Sequence, residues 1–325
     1  MSGITNENLN QFNDQGYFLA KRLLDPEIDL APIKAEYEEV LDKAVFDLKV
    51  RGIIQGGYND LPFGKRISRI LEDSDGELNK YLDITLPQKG IDHKTPMHCG
   101  PSVFNLMRNP KLLDAVEQFI GPEIYSNPTQ HVRIKPPAKF LADTSSILSE
   151  IDTTVWHQDA GTGTSDADET MTLTVWISVT KASIENGCLV IAPKSHRNGL
   201  ALHCHDKRAN YSRQSIPEKL IGSIREPIET EPGDVLFLSK YTMHASLPNK
   251  SENIRWSLDL RYNPIGQPTG RAWFPGFIAR SQSTPKSEMR DPDKWRMSWE
   301  KARERLSLAP PSSFQRWSED DPNCA

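Results

Sequence analysis

In Val155-Trp156-His157-Gln158-Asp159 an imidazole and a carboxylate stand two residues apart. Side chains of an extended strand alternate between faces, so His157 and Asp159 project the same way. Side by side they supply two members of a 2-His-1-carboxylate facial triad for Fe(II). His-X-Asp also arises by chance, and a histidine hydrogen-bonded to a carboxylate on a sheet is its commoner origin. What decides between these is whether the chain supplies a third ligand and a use for the metal.

The third ligand must come from another strand. Glu231-Pro232-Gly233-Asp234 reads as a turn, Val235-Leu236-Phe237-Leu238 as a buried strand, and His244 follows in Tyr241-Thr242-Met243-His244-Ala245-Ser246. Eleven residues later comes Arg255. Alone, a histidine after a strand is usually a core or surface residue, and a strand arginine usually makes an ion pair. Together they have a chemical use. His157, Asp159 and His244 would leave coordination positions open on Fe(II). The planar fork of Arg255 suits the distal carboxylate of a 2-oxo acid. Ser246, on the same side as His244 in an extended chain, could donate to that carboxylate.

A scaffold must hold these groups. The first third reads as helical: Asn6 to Gln15, then Ile28 to Val50 with Ile33, Tyr37, Val40, Leu41, Ala44 and Leu48 at helical spacing, then about Lys65 to Leu82. A short apolar strand, Gly16 to Ala20, and a glycine-bearing loop, Gly52 to Gly64, lie between them. Asn109-Pro110 starts a further helix that Gly121-Pro122 ends. From Glu123 the texture changes to short strands at 129–135, 153–158, 171–179, 187–192, 225–230, 234–238 and 254–262. In two of them Met171, Leu173, Val175, Ile177 and Val179 oppose Thr172, Thr174, Trp176 and Ser178, and Trp256, Leu258, Leu260 and Tyr262 oppose Arg255, Ser257, Asp259 and Arg261. Either one sheet face is solvated, or the polar face lines a barrel interior while helices cover the apolar face. Residues 264–325 read as a wrapping segment with a helix near Asp291 to Leu308. The expected plan is one catalytic domain over 1–325, with a helical part (1–122), a β core (123–263) and the wrapping segment (264–325).

Lys, Arg, Asp and Glu are mixed and the net charge is −5, which gives no basic field for nucleic acid. No apolar run nears the roughly 18–20 residues that cross a bilayer. The polar stretch Met1 to Asn10 lacks the build of a signal peptide. Cys99, Cys188, Cys204 and Cys324 are scattered and read as reduced thiols, so a cytoplasmic location is expected. The segments 160–169 and 194–216 read as long loops, with His203-X-His205 a solvated or lid feature rather than a second metal site. Trp156 and Met243, beside candidate ligands, read as core packing.

The ordered set His157-X-Asp159, His244-X-Ser246 and Arg255 resembles the Fe(II)/2-oxoglutarate oxygenases of the phytanoyl-CoA dioxygenase family. So does Glu185-Asn186-Gly187-Cys188-Leu189-Val190-Ile191-Ala192-Pro193-Lys194-Ser195-His196, with Lys194 where that family usually has Gly, and so does His131-Val132-Arg133-Ile134-Lys135-Pro136-Pro137. The resemblance spans about residues 100–262. It implies a double-stranded β-helix (a cupin-like jelly roll, mainly β with α) with N-terminal helices packed on it. It implies Fe(II) on His157, Asp159 and His244, and 2-oxoglutarate on Arg255 and Ser246, with Trp176 and His131 lining the cosubstrate pocket. O₂ is the further cosubstrate, and the partner is a small organic molecule oxidised with release of succinate and CO₂. Halogenases of the superfamily resemble these hydroxylases but have Ala or Gly in place of the carboxylate, so Asp159 argues for hydroxylation or a related oxidation. A non-catalytic ligand-binding barrel, or a cupin-type metalloenzyme without 2-oxoglutarate, is the alternative. The substrate and the oligomeric state are not legible.

Overall fold

Thr5 caps the first helix, α1 (Asn6–Gln15), by accepting from the Asn8 N–H, and Gly16 at φ 85° turns the chain out of it into strand β1 (Tyr17–Ala20). This computed structural model describes residues 3–87, 90–141, 153–205, 214–309, 316–317, 321 and 324. A π-helical turn at Pro26–Leu30 leads into α2 (Ala31–Val50), whose buried stripe is the one expected from its spacing. Next come α3 (Phe63–Asp73), α4 (Asn79–Leu82), α5 (Pro101–Met107) and α6 (Pro110–Ile120), the last capped by the Asn109 side chain. The short α5 was not anticipated.

The strands are β2 (Glu123–Ser126), β3 (His131–Lys135), β4 (Leu173–Ser178), β5 (Leu189–Ile191), β6 (Cys204–His205), β7 (Gln214–Ser215), β8 (Glu226–Ile228), β9 (Val235–Ser239), β10 (His244–Ser246), β11 (Arg255–Pro264) and β12 (Phe277–Ser281). All pair antiparallel. The large sheet runs β1-β9-β4-β11-β2-β12, with β3 also on β11, and the smaller sheet runs β10-β5-β8. The architecture is the expected jelly roll with N-terminal helices.

The alternating faces decide between a solvated sheet and a lined interior. Leu173, Val175 and Ile177 of β4 and Trp256, Leu258, Leu260 and Tyr262 of β11 join one core with the α2, α3, α5 and α6 stripes. Burying each such side chain contributes about 1.5–3 kcal/mol. The opposite faces are buried too, so Thr174, Arg255, Asp259 and Arg261 point into the roll rather than into water. Met171 lies before β4 begins and is 53% exposed.

Other expectations need correcting. Residues 153–158 form no strand: β10 is only three residues long, and the stretch meets it through the single bridge His157↔His244. The C-terminal segment does more than wrap, because β12 adds an edge strand to the large sheet against β2. The cysteines are not all free thiols: Cys204 and Cys324, 120 residues apart, are disulfide-bonded, while Cys99 and Cys188 are free and buried. Scattered spacing hid that pair because only the fold brings the tail onto the 194–216 segment.

Candidate metal centre

His157 and His244 exchange backbone hydrogen bonds in both directions at 3.0 Å, a closely paired antiparallel contact that sets both imidazoles on one face with ring centroids 4.2 Å apart. Each ring is oriented by its own chain. Nδ1 of His157 donates to the Val155 carbonyl at 2.8 Å, and Nδ1 of His244 donates to the Thr242 carbonyl at 3.0 Å. A carbonyl can only accept, so these bonds fix the tautomers and leave both Nε2 lone pairs available. Burial first, then the neighbouring His244, pushes the His157 pKa down to about 3, which keeps that ring neutral.

Asp159 begins a helical turn, Asp159–Thr162, rather than continuing a strand. Its carboxylate still faces the rings, with Oδ1 3.9 Å from His157 Nε2. The candidate ligand atoms of His157, Asp159 and His244 lie within 4.8 Å of one another, the one such group among the described residues. Burial would raise the Asp159 pKa, but Arg261 first, then His244 and His157, hold it well below the usual carboxylate range. Two neutral imidazoles and an ionised carboxylate converging from one side is a donor set that fits Fe(II).

Arg255 projects from β11 into the interior at 2% exposure. Its Nη1 donates to Ser257 Oγ at 2.6 Å, its guanidinium lies over the Trp176 ring at 5.7 Å, and its Nε has no acceptor. Burial and then Arg133 push its pKa down to about 10, still a cation at neutral pH. Ser246 Oγ accepts from Lys135 Nζ and from the Thr154 N–H, both at 2.9 Å. Both lone pairs are thus engaged, and its hydroxyl proton is what it has left to offer a ligand. Trp176 on β4 packs in a smaller core with Leu189 and Ile191. His131 on β3 lies across from Asp259, and its Nδ1 pairs with Asp83 at 2.9 Å.

Four neighbours were not foreseen as site residues. Arg261 and Thr174 donate to the two oxygens of Asp159. Lys135 stood inside the Lys-Pro-Pro stretch without a role. Gln158 does not face outward: wholly buried, it donates to the Gly199 and Tyr241 carbonyls at 2.8 and 2.6 Å and accepts from the Ala201 N–H at 2.7 Å. His203 is correspondingly no solvated residue. At 1% exposure it accepts from the Gln158 N–H at 3.0 Å and stacks on Trp317 at 5.0 Å. The side chain of His205 lies outside the described residues. Trp317 also donates to the Gly161 carbonyl, and Arg316 forks onto Asp168 at 2.5 and 2.6 Å, so the tail braces the 160–169 segment. Met243 and Trp156 pack in a small core with Ile216 and Ile221, as anticipated.

A family model described as phytanoyl-CoA dioxygenase (PhyH) matches residues 12–257. The chain belongs to the phytanoyl-CoA dioxygenase family. This family uses Fe(II), 2-oxoglutarate and O₂, and the donor set of His157, Asp159 and His244 fits that metal. Human peroxisomal phytanoyl-CoA dioxygenase is 23% identical over 266 residues, covering 80% of this chain and 68% of that protein. A methylphosphonate hydroxylase of Gimesia maris is 39% identical over 95 residues, 29% of this chain and 34% of that one. The 1-deoxypentalenic acid 11-beta-hydroxylase of Streptomyces exfoliatus is 27% identical over 182 residues, 54% of this chain and 61% of its own. The chain thus spans from about a third to about two thirds of these relatives. A solved non-heme monooxygenase, ThoJ in its apo form, shares the fold with a TM-score of 0.53 at 17% identity, covering 93% of this chain and 99% of that one. No helix among the described residues is long and apolar enough to cross a membrane.

Proposed function

We propose that this protein is an oxygenase that hydroxylates a small organic molecule, with Fe(II) on His157, Asp159 and His244 and the far carboxylate of 2-oxoglutarate on Arg255 and Ser246. The observation that carries this reading is the Arg255 guanidinium. It is buried, its Nε has no acceptor, and no carboxylate pairs with it among the described residues. A buried charge costs several kcal/mol unless it is paired, so the position calls for an anionic ligand. Ser246 has a proton to give beside it, and Trp176 shields one face of the guanidinium from water. In this reading Trp176 and His131 line the cosubstrate pocket, His131 being held by Asp83.

When bound, iron and 2-oxoglutarate supply O₂ activation coupled to release of succinate and CO₂, one oxygen atom going to the substrate. The chain's part is placement. The Nδ1–carbonyl bonds keep both imidazoles in the ligating tautomer, Arg261 and Thr174 fix the plane of Asp159, and the brace from Trp317 and Arg316 holds the segment that follows it. A carboxylate at 159 occupies the position a halide would need, which favours hydroxylation. Two relatives are named for hydroxylation, of methylphosphonate and of 1-deoxypentalenic acid, and they support the same outcome here. The proposal includes one catalytic domain over 1–325 and no nucleic-acid partner; the cytoplasmic location expected from reduced thiols loses that ground with the Cys204–Cys324 disulfide. The test is succinate formation from Fe(II), 2-oxoglutarate and O₂ with candidate substrates, alongside iron binding by His157→Ala. No succinate in any reaction, together with undiminished iron binding by the variant, would sink it.

A further inference from the structure

Beyond Asp159 the interior of the roll continues into a wall with a distinct chemistry. A cavity of about 30 Å³ is lined there by Asp159, Arg261, Lys240, Thr129, Thr162 and Thr164, with alanine, glycine and further small polar residues completing it. No aromatic and no aliphatic side chain larger than alanine faces it among the described residues. One water needs ~10–15 Å³ by this measure, so the cavity takes a head group of a few atoms, not a lipid chain or fused rings.

Arg261 dominates that wall. It stands on the inner face of β11, the face that carries Arg255, and is 5% exposed. One Nη donates to Asp159, the other to the Thr129 carbonyl at 3.1 Å, and Nε has no acceptor. Asp259, the other carboxylate within reach at 3.5 Å, is shared with Arg133 at 3.7 Å. Behind the wall Arg271 is 4% exposed and donates to the Thr162 carbonyl; burial and then the charge of Arg261 push its pKa down to about 10. Two cations, Arg261 and Lys240, thus line a cavity with a single carboxylate on its surface, Asp159. Once Asp159 serves a divalent metal, its charge no longer offsets them fully. A desolvated cationic wall favours an anion, and a guanidinium fork favours an oxyanion.

We infer that Arg261 binds an anionic head group of the substrate, so that the substrate carries an oxyanion, a carboxylate or phosphonate, rather than being a neutral molecule. This rests on the reading of His157, Asp159 and His244 as the iron site. The experiment is titration calorimetry under nitrogen on the full chain loaded with Fe(II) and saturating 2-oxoglutarate, so that the Arg255 position is filled. The probes are methylphosphonate, acetate, and dimethyl methylphosphonate as the uncharged counterpart. The expected result is that at least one anion binds at least tenfold tighter than the ester. Arg261→Gln should weaken that binding at least tenfold while 2-oxoglutarate affinity stays within about twofold, and Arg261→Lys should recover part of it. Methylphosphonate against acetate separates a tetrahedral from a planar head group, and a preference for either supports the inference. Ester and anions binding alike, or no anion binding to a chain that holds iron and 2-oxoglutarate, overturns it. So does an Arg261→Gln chain that loses iron affinity but keeps its anion affinity, for then Arg261 serves Asp159 alone. If Arg261→Gln does not fold, the comparison of anion with ester on the unaltered chain still decides. An unaltered chain that binds neither iron nor 2-oxoglutarate overturns the iron-site reading itself, a result distinct from the others.

Discussion

Asp159 is shared between two tasks, offering an oxygen to the candidate metal site and accepting from Arg261 and Thr174 on its two oxygens. Groups that orient a ligand in this way typically alter metal affinity by 10–100-fold when removed. Thr174→Val keeps the shape of the side chain and removes the hydroxyl, so Fe(II) affinity should fall by about tenfold or more in an anaerobic metal titration. Binding of 2-oxoglutarate to the remaining loaded protein should hardly change, because Arg255 is untouched. Arg255→Gln should do the converse. Truncating one partner of a buried charge pair costs about 2–5 kcal/mol, so 2-oxoglutarate affinity should drop by ~30-fold or more at unchanged iron affinity. Arg255→Lys should restore only part of it, since a point charge lacks the planar fork. Calorimetric titration of 2-oxoglutarate into each metal-loaded variant checks both statements.

At the scale of elements, what could be read from the sequence depended on whether the partners were local. His157 and Asp159 were legible because Gln158 between them keeps an extended backbone (φ −117°, ψ 141°) although no full strand forms, so two-residue spacing still sets them on one side. His244 was legible because a turn and an apolar run announce the strand before it. The role of Arg261 was not, because its partner Asp159 is 102 residues away and the contact depends on how β11 and β4 pair, which no local pattern states. Gln158 was opaque for the same reason: its partners, Gly199, Ala201 and Tyr241, come from two distant segments. Helix ends show local legibility with a longer reach. Asn109 was readable as a cap, yet its side chain also donates to Asp29 at 2.8 Å, and Lys111 pairs with the same carboxylate at 2.7 Å, fastening α6 to the turn before α2. Burial would raise the Asp29 pKa, but Lys111, the Asp25 N–H and Asn109 together hold it below the usual range. A carboxyl depressed in the folded state stabilises above its unfolded pKa, and that contribution is lost as pH falls through the folded value. Asp29→Asn should therefore lower stability at pH 7 by about 1–3 kcal/mol. The gap from the unaltered chain should narrow below about pH 4, near the unfolded aspartate pKa. Urea denaturation of both proteins at neutral and acid pH measures the gap directly.

At the scale of the molecule, both ends of the chain belong to the same sheet. Strand β1 lies on β9 at one edge, and β12 lies on β2 at the other. The sequence suggested a segment laid over a finished barrel after residue 263, because its prolines and arginines mask the short strand at 277–281. The packing says otherwise. Phe277, Trp295, Trp299 and Leu306 are all buried and join the main core, with Phe104 of α5 facing Phe277 at 5.2 Å and Trp295 at 5.6 Å.

Removing that segment therefore does more than uncover a surface. Four large side chains leave the core, each worth about 1.5–3 kcal/mol of burial. The sum, ~6–12 kcal/mol, is comparable to the ~5–15 kcal/mol by which a domain is ordinarily stable. The edge of β2 would lose its partner as well, leaving unpaired backbone groups where another chain could add. A chain ending at residue 263 retains His157, Asp159, His244, Arg255 and Arg261, so a self-sufficient barrel would still bind iron and 2-oxoglutarate and melt cooperatively. The packing predicts the opposite: no cooperative thermal transition, loss of the near-ultraviolet dichroism of the ordered aromatics, and no recovery on adding metal and cosubstrate. Metal and cosubstrate, each a hundredfold above its dissociation constant, together return ~5.4 kcal/mol, still below the ~6–12 kcal/mol lost. A truncated chain that melts sharply and gains several degrees with iron and 2-oxoglutarate would show instead that the roll stands without its C-terminal layer.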